Sequence, residues 1–440
     1  MFALFKSRKF APLFWTMFLG AFNDNFFKSA MVILITYRLA DETGVDARIL
    51  ATLAAGVFIL PFVLLSALAG QLADKYERSG LVRKVKIAEI IVMSGAAVGF
   101  YTGSITILMI VLFLMGAQSA FFGPLKYSIL PQHLEKSDLI GANALIETGT
   151  FLSILLGTIL GGIFVLGGAG ILIVSLLVIG IAVAGWATSL YIPPTRVIDP
   201  FLEFRFNILK ETYLLVETVR PSRDIFMPVL AISWFYFVGG TFLSQFPAYA
   251  KTVIGADEQV ATLFLAVFSV GIGAGSLACN RLLKGEISGR YVPAAAIGMA
   301  ISSLLLFLAS IRSPLEPGAG LVTVWGFLMS FSNLAVLLCL LAISFCGGLY
   351  IVPLYALIQI RSEESMLASV TACTNVMDSL FMVISSLLVT ALLAAGFSIP
   401  QIFLVAAALT IIAAWIIRGT VRDRIKKDAA GQDIADTRHI

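Results

Sequence analysis

Apolar segments long enough to cross a lipid bilayer recur along the whole chain. Backbone polar groups inside a bilayer must be bonded within their own segment, so these segments are predicted to be helices. Only 13% of the 440 residues are charged and 59% are hydrophobic, which excludes an ordinary soluble domain. The pattern predicts an all-α polytopic membrane protein with twelve spans, at residues 11–39, 48–72, 86–104, 105–126, 139–164, 170–191, 225–250, 260–283, 291–311, 321–355, 365–395 and 398–418.

The distribution of basic residues agrees with an even number of spans. If both termini are cytoplasmic, the outer loops hold only Arg38, Arg48, Lys251 and Arg312 among the Lys and Arg residues. Inner loops of multi-pass proteins are enriched in these residues, and an odd number of spans would scramble the asymmetry. We therefore expect an inner-membrane protein with both termini in the cytoplasm.

A long inner connection divides the chain into two halves that are weakly repeated. We predict a six-helix bundle at 1–192, a cytoplasmic linker at 193–224 with an amphipathic helix over 203–219, a second six-helix bundle at 225–424 and a polar tail at 425–440. Similar motifs occur in the same order in both halves, which predicts two pseudo-symmetric bundles. The matched motifs are Trp15-x4-Gly20 with Trp234-x4-Gly239, Gly70-Gln-Leu-Ala with Gly275-Ser-Leu-Ala, and Pro124-Leu-Lys-Tyr with Pro353-Leu-Tyr-Ala.

The first span carries Asn23, Asp24, Asn25 and Lys28 in its middle. A charged side chain at the bilayer centre costs about 2.5–3.5 kcal/mol on insertion scales, and such residues usually mark a transport path. Asp24 and Lys28 are four residues apart, so they share one helix face and can pair. We predict that this face lines a polar cavity. The alternatives are a neutral pair that locks the first helix to a neighbour, and amides that bond to adjacent helices.

Polar residues in other spans extend the predicted substrate-binding set. Glu147, with Asn143 one turn earlier, is a candidate proton or cation carrier or, alternatively, a partner of Lys126 or Lys28. Lys126, predicted to end the fourth span near the inner face, can hold a phosphate as a point charge or can reach the interface as an isolated lysine. Two candidates lie in the C-terminal half, where the alternative role is helix–helix contact. They are Gln245 and Asp378.

A short switch from small to charged residues ends the second span on the inner side, at Gly70, Asp74, Lys75 and Arg78. The glycine allows two helix ends to approach closely, and the aspartate can neutralise a facing helix end while the basic residues stay in the headgroup layer. We predict a gating latch between the two bundles. Taken singly, the segment is also compatible with an ordinary charged loop.

Several classes of function have no support in the sequence. The four cysteines all fall in apolar segments without metal-ligand spacing, and the two histidines, His133 and His439, are far apart. We find no Ser/His/Asp set, no HEXXH motif and no phosphate-binding P-loop. We therefore expect no enzyme activity, no cofactor, no metal and no nucleic-acid partner.

Two resemblances to known families are carried by these motifs. The repeated halves and Gly70-x3-Asp74-Lys75-x2-Arg78 resemble the major facilitator superfamily, although Glu77 stands where a glycine is common. Longer segments resemble the bacterial lysophospholipid transporters and the transporter portion of acyltransferase-fused homologues. These segments are Phe18-Leu-Gly-Ala-Phe-Asn-Asp-Asn, Gly70-Gln-Leu-Ala-Asp, Gly123-Pro-Leu-Lys-Tyr-Ser-Ile-Leu, Gly141-Ala-Asn-Ala-Leu-Ile-Glu-Thr-Gly-Thr and Gly347-Gly-Leu-Tyr-Ile-Val-Pro-Leu-Tyr-Ala-Leu-Ile-Gln.

The resemblance implies a function and its partners. The second family is implied to flip lysophospholipids, chiefly lysophosphatidylethanolamine, across the inner membrane for re-acylation by a cytoplasmic acyltransferase. Asp24, Lys126 and Glu147 would then contact the headgroup or gate the cavity, and a monomer is expected. The family pattern has a basic residue in the seventh span where this chain has Ser244-Gln245, so the headgroup is left open.

Three functions remain open from the sequence. The first is a secondary transporter of lysophospholipids that works by alternating access. The second is a proton-coupled exporter of drugs or metabolites, with Asp24 or Glu147 carrying the proton. The third is a membrane scaffold or receptor that transports nothing.

Overall fold

The computed structural model describes residues 1–35, 47–165, 167, 169–284, 286–311 and 321–416. Its N-terminal half contains six long helices that are mostly apolar. They are α1 (Ala11–Leu34), α2 (Ala47–Lys75), α3 (Arg78–Thr102), α4 (Ile105–His133), α5 (Leu139–Val165) and α6 (Gly170–Ser189).

The C-terminal half repeats this arrangement after a short helix in the connecting segment. That connecting helix is α7 (Ile208–Val219), which is shorter than the segment 203–219 predicted for it. The long helices that follow are α8 (Arg223–Tyr249), α9 (Glu258–Leu283), α10 (Val292–Ile311), α12 (Phe331–Arg361), α13 (Leu367–Ala394) and α14 (Ile399–Ile416), with a six-residue helix α11 (Val324–Met329) before α12. The predicted tail, 425–440, lies outside the described residues.

Eleven helices in the described part of the chain are long and apolar enough to cross a membrane. The remaining long helix, α1, falls outside that group; its centre is interrupted by Asn23, Asp24, Asn25 and Lys28. It nevertheless packs along α5 and α6 as the other long helices pack on their neighbours. The all-α architecture of long helices in two halves is therefore confirmed, with α1 as its most polar member.

Three predicted span boundaries were wrong, and local capping explains the first. The third span begins at Arg78 rather than at residue 86, because the Glu77 side chain accepts hydrogen bonds from the backbone N–H groups of Ser79 and Gly80 and starts the helix there. The fourth span continues to His133 through two prolines. The tenth span begins at Phe331, after the short helix α11.

The two halves pack together through two pairs of helices related by the internal repeat. One pair is α5 with α9, and the other is α2 with α13. Glycines make both approaches close, since a Cβ at Gly273 would meet Thr148 at 3.1 Å and a Cβ at Gly70 would meet the Ala372 Cβ at 2.9 Å. The interface between halves is thus formed by equivalent helices on either side.

The connecting segment lies against the end of the N-terminal half where α2 stops and α3 starts. The Lys75 ammonium donates to the Leu202 carbonyl at 2.8 Å, and the Gln71 amide donates to Glu211 of α7 at 3.0 Å. We call this end of the molecule the linker end. The loop between α4 and α5, at residues 134–138, lies at the same end, because α2 and α4 both finish there.

Candidate substrate-binding and gating site

Asp24 and Lys28 project from the middle of α1 toward different neighbours. Ser119 Oγ of α4 donates a hydrogen bond to Asp24 Oδ2 at 2.6 Å, and the Lys28 ammonium lies 5.1 Å from the centroid of the Phe58 ring in α2. These two described side chains form no ion pair within 4.0 Å, so the direct pair that their spacing allowed is not present. Both remain only half-buried.

The two asparagines of α1 have separate roles. Asn23 is wholly buried and its amide donates to Glu89 Oε1 at 3.2 Å and to the Val178 carbonyl at 3.1 Å. This arrangement is the helix–helix contact that the sequence left as an alternative for Asn23. Asn25 is half-buried and donates to the Ala21 carbonyl of its own helix at 2.8 Å.

An ion pair that sequence analysis missed lies next to these residues. Lys86 Nζ and Glu89 Oε2 of α3 are 2.6 Å apart, and both side chains are fully buried. Glu89 also accepts from Asn23 and from the Gln118 amide at 3.2 Å. Burying two charges is costly unless they are paired. Here they are paired, and both carboxylate oxygens of Glu89 accept further hydrogen bonds.

The predicted third span, 86–104, placed Lys86 at the first residue of the span, and that boundary was wrong. With α3 starting at Arg78, Lys86 falls about 12 Å inside the helix. Its side chain reaches the space left by Gly20 of α1, where a Cβ would collide with the ammonium, and it lies 5.2 Å from the Phe122 ring centroid. The Lys-x2-Glu spacing within an apolar run is the signal that could have identified the pair.

A second polar cluster joins the two halves, about 10 Å further along α4 from Ser119. Tyr127 donates to Glu147 Oε1 at 2.6 Å, and its ring stacks on Tyr355 of α12 with centroids 4.1 Å apart. The Lys126 ammonium lies over the Tyr127 ring at 4.5 Å. Lys126 was predicted to end the fourth span. That prediction was wrong, because α4 continues to His133 and Lys126 lies inside the helix.

The C-terminal half contributes a carboxyl group and two phenols to this cluster. Ser233 of α8 donates to Asp378 Oδ1 at 2.7 Å, and the Tyr236 and Tyr355 hydroxyls are 3.4 Å apart. Lys126 is within electrostatic range of both Glu147 and Asp378, yet these three described side chains form no ion pair within 4.0 Å. The cluster therefore contains one lysine and two acidic side chains that form no ion pair with one another.

Asn143 and Gln245, which were also predicted to bind substrate, lie in surroundings that differ from each other. Asn143 and Gln359 exchange two amide hydrogen bonds across the halves, at 2.7 and 3.3 Å. Gln359 also donates to the Tyr127 carbonyl at 3.2 Å. Gln245 is buried in α8, where its amide donates to Ser244 Oγ at 3.4 Å. Asn143 thus belongs to the contact between halves, and Gln245 makes a local contact within its own helix.

The predicted latch residues join the halves at the linker end. Asp74 accepts from Ser369 of α13 at 2.9 Å and pairs with Arg78 at 3.3 Å, while Gly70 packs on Ala372. The expectation that Arg78 stays in the headgroup layer was wrong. Its guanidinium is fully buried and donates to the Ser128 carbonyl at 2.9 Å, because α3 begins at this residue and turns its side chain toward α4.

The contacts of Glu77 explain why this chain has a carboxylate at a motif position where glycine is common. Besides capping α3, its Oε1 accepts from the Thr195 backbone N–H and hydroxyl, each at 2.7 Å. Burial raises the pKa of Glu77, but the hydrogen bonds from Ser79 and Thr195 outweigh burial and lower that pKa from 4.5 to about 2. Glu77 therefore fastens the linker to the start of α3 as an ionised group.

The stabilisation by Glu77 should depend on pH. A lowered folded-state pKa gives stability that is complete above the unfolded value of about 4.5 and is lost as the pH falls toward 2. We expect Glu77→Gln to lower the melting temperature clearly at pH 7 and much less at pH 3, measured by thermal unfolding in detergent. Glu135→Gln, at an exposed position, is the matched control. Equal losses for Glu77→Gln at both pH values would contradict this account.

Comparison with known proteins agrees with this architecture. The family model described as Major Facilitator Superfamily matches residues 13–332. The chain is 26% identical over 363 residues to the lysophospholipid transporter LplT of Cronobacter sakazakii, covering 82% of each chain. It is 27% identical over 374 residues to LplT of Serratia proteamaculans, again covering 82% of each. The similarity to lysophospholipid transporters that the motifs indicated is thus confirmed over most of the chain.

Solved structures give the same fold. The human organic anion transporter MFSD10 (TETRAN) superimposes with a TM-score of 0.70 at 14% identity, covering 92% of this chain and 98% of that one. These relatives and structural neighbours are transporters rather than enzymes. On the matched family model and the paired helical halves together, this multi-pass membrane protein belongs to the Major Facilitator Superfamily of transporters.

Proposed function

We propose that this transporter moves lysophospholipids across the inner membrane of a bacterium by alternating access, with both termini in the cytoplasm. The observation that carries the proposal is the Lys126–Glu147–Asp378 cluster at the junction of the halves. Tyr127 donates to Glu147, lies under the Lys126 ammonium and stacks on Tyr355 of the other half, and the three ionisable side chains form no ion pair with one another. Such a cluster suits a zwitterionic headgroup. The names of the similar proteins support a lysophospholipid as the substrate.

The chemistry of each group suggests its role toward the headgroup. The Lys126 ammonium would hold the phosphate as a point charge. The carboxylates of Glu147 and Asp378 would face the ammonium of an ethanolamine, and the Tyr127–Tyr355 stack would close the site toward the linker end. Asp24, Asn25 and Lys28 would contact the lipid on its path through the N-terminal half. The acyl chain would lie on apolar helix faces, and a cytoplasmic acyltransferase would use the product.

The latch would be the gate of this cycle. Contacts between halves at the linker end include Asp74 with Ser369, Gln132 with Glu364 at 2.8 Å, and Asn143 with Gln359. Breaking these side-chain contacts as the halves rock would open the site on that side. Gly70 would permit the close approach that reseals it, and Lys75 and Arg78 would hold the linker and α4 in place.

Flipping of labelled lysolipid in proteoliposomes tests the proposal. We expect wild-type protein to accelerate flipping and Asp24→Ala to lower the rate at least about tenfold, because a hydrogen bond to a charged group contributes about 1.5–3 kcal/mol. Ser94→Ala, which removes a hydroxyl bonded only to its own helix on an exposed face, is the matched control. Equal rates for wild type and Asp24→Ala would overturn the proposed role of Asp24 on the lipid path.

The same vesicles separate this function from proton-coupled export. A panel of lysolipids with ethanolamine, glycerol and choline headgroups should be flipped at different rates, since the cluster carries both signs of charge. Uptake of a soluble compound driven by a pH gradient, without competition from lysolipid, would favour the exporter instead.

A further inference from the structure

The buried Lys86–Glu89 pair has no assigned role in transport, although polar side chains within hydrogen-bond distance of one another connect it to Asp24. Glu89 Oε2 accepts from the Gln118 amide at 3.2 Å. The Gln118 carbonyl oxygen lies 3.2 Å from Ser119 Oγ, and Ser119 Oγ lies 2.6 Å from Asp24 Oδ2. The series therefore runs from α3 through α4 to the half-buried carboxylate of α1.

Ser119 can satisfy only one of its two acceptors at a time. A hydroxyl group has a single hydrogen, and both Asp24 Oδ2 and Gln118 Oε1 are within its reach. An ionised carboxylate is a stronger acceptor than an amide carbonyl, and Asp24 Oδ2 is at the shorter distance from Ser119 Oγ. When Asp24 is engaged by a cationic group of a substrate or by a proton, the Ser119 hydrogen can turn to Gln118 instead.

The orientation of Gln118 decides whether this alternative exists. Its amide nitrogen is directed to Glu89, which leaves its carbonyl oxygen facing Ser119. Glu89 is in turn held by Lys86 at 2.6 Å. Without an acceptor at residue 89, the Gln118 amide would turn, and its carbonyl would no longer be presented to Ser119.

We infer that Lys86 and Glu89 are positioning residues that hold Gln118 so that the Ser119 hydroxyl can switch between Asp24 and Gln118. In both arrangements the Ser119 hydroxyl and the Gln118 amide each keep an acceptor, so the half-buried Asp24 can gain and release a partner at low cost. This inference rests on the proposed role of Asp24 as a ligand contact. It adds residues of α3 and α4 that allow Asp24 to exchange the Ser119 hydroxyl for a ligand.

Two double variants test the inference with the net charge held constant. Lys86→Met/Glu89→Gln removes both charges but keeps a side-chain oxygen for Gln118, whereas Lys86→Met/Glu89→Leu removes that oxygen as well. We expect Lys86→Met/Glu89→Gln, the Gln version, to retain most of the wild-type flipping rate. The rate of Lys86→Met/Glu89→Leu, the Leu version, should fall about tenfold. Adding Gln118→Leu to the Gln version should lower its rate to that of the Leu version. Thermal unfolding would establish that the compared variants are folded.

Infrared spectroscopy gives a readout that does not depend on the lipid. The Asp24 carboxylate band, isolated in each background by subtracting the spectrum of the same protein with Asp24→Asn, should match wild type in the Gln version and shift in the Leu version. Equal bands and equal rates in the two double variants would overturn the inference. A wild-type protein that fails to flip lysolipid would overturn the proposed function, and the infrared comparison would still decide the role of Glu89.

Discussion

Replacing Glu89 alone with Leu is expected to destabilise the protein by about 3–5 kcal/mol, because it leaves the Lys86 ammonium buried without its ion-pair partner. Lys86 is fully buried, and its ammonium lies 5.2 Å from the centroid of the Phe122 ring. A cation over an aromatic ring recovers only about 0.5–2 kcal/mol. Unfolding in mixed detergent micelles measures the loss.

The control for this prediction is the double variant Lys86→Met/Glu89→Leu. It removes both charges and replaces them with apolar side chains of similar size, so most of the lost stability should return. If Glu89→Leu and the double variant were equally unstable, the charge of Lys86 would not be the cause. Because Glu89→Leu alone is expected to be unstable, transport is best compared between the double variants.

A disulfide across the linker end is expected to stop transport in the oxidised protein and to release it on reduction. A Cβ placed at Gly70 would lie 2.9 Å from the Ala372 Cβ, and a disulfide needs about 3.5–4.5 Å, so a small shift of two helices admits the bond. Gly70→Cys/Ala372→Cys then links α2 to α13 and prevents the halves from separating. We expect a loss of at least about tenfold in flipping rate that a reducing agent reverses.

A matched disulfide within one half controls for the crosslink itself. A Cβ at Gly298 of α10 would lie 3.6 Å from the Cβ of the natural Cys346 in α12. Gly298→Cys should therefore form a bond inside the C-terminal half, which moves as a unit in alternating access, and flipping should continue after oxidation. Transport that survives the bond between Gly70→Cys and Ala372→Cys would contradict a gate at the linker end.

Helix ends were the least predictable part of the fold, and one of them altered the site. Glu77 reads in the sequence as one more charge in a polar loop, yet it caps α3 and binds Thr195, which lies far along the chain. That contact starts the helix at Arg78 and so carries Lys86 into the membrane-spanning region. An error of two helical turns therefore hid the closest ion pair of the site.

The sequence by itself determined the membrane class, the two repeated halves and the unusual polarity of α1, since these depend on hydropathy, segment length and local spacing. It also placed Asp24, Lys126, Glu147 and Asp378 in apolar segments. Only the tertiary structure decided which groups meet, as in the Tyr127–Tyr355 stack and the series from Lys86 to Asp24. Their partners are on different helices, and the packing of those helices depends on the whole bundle rather than on any one segment.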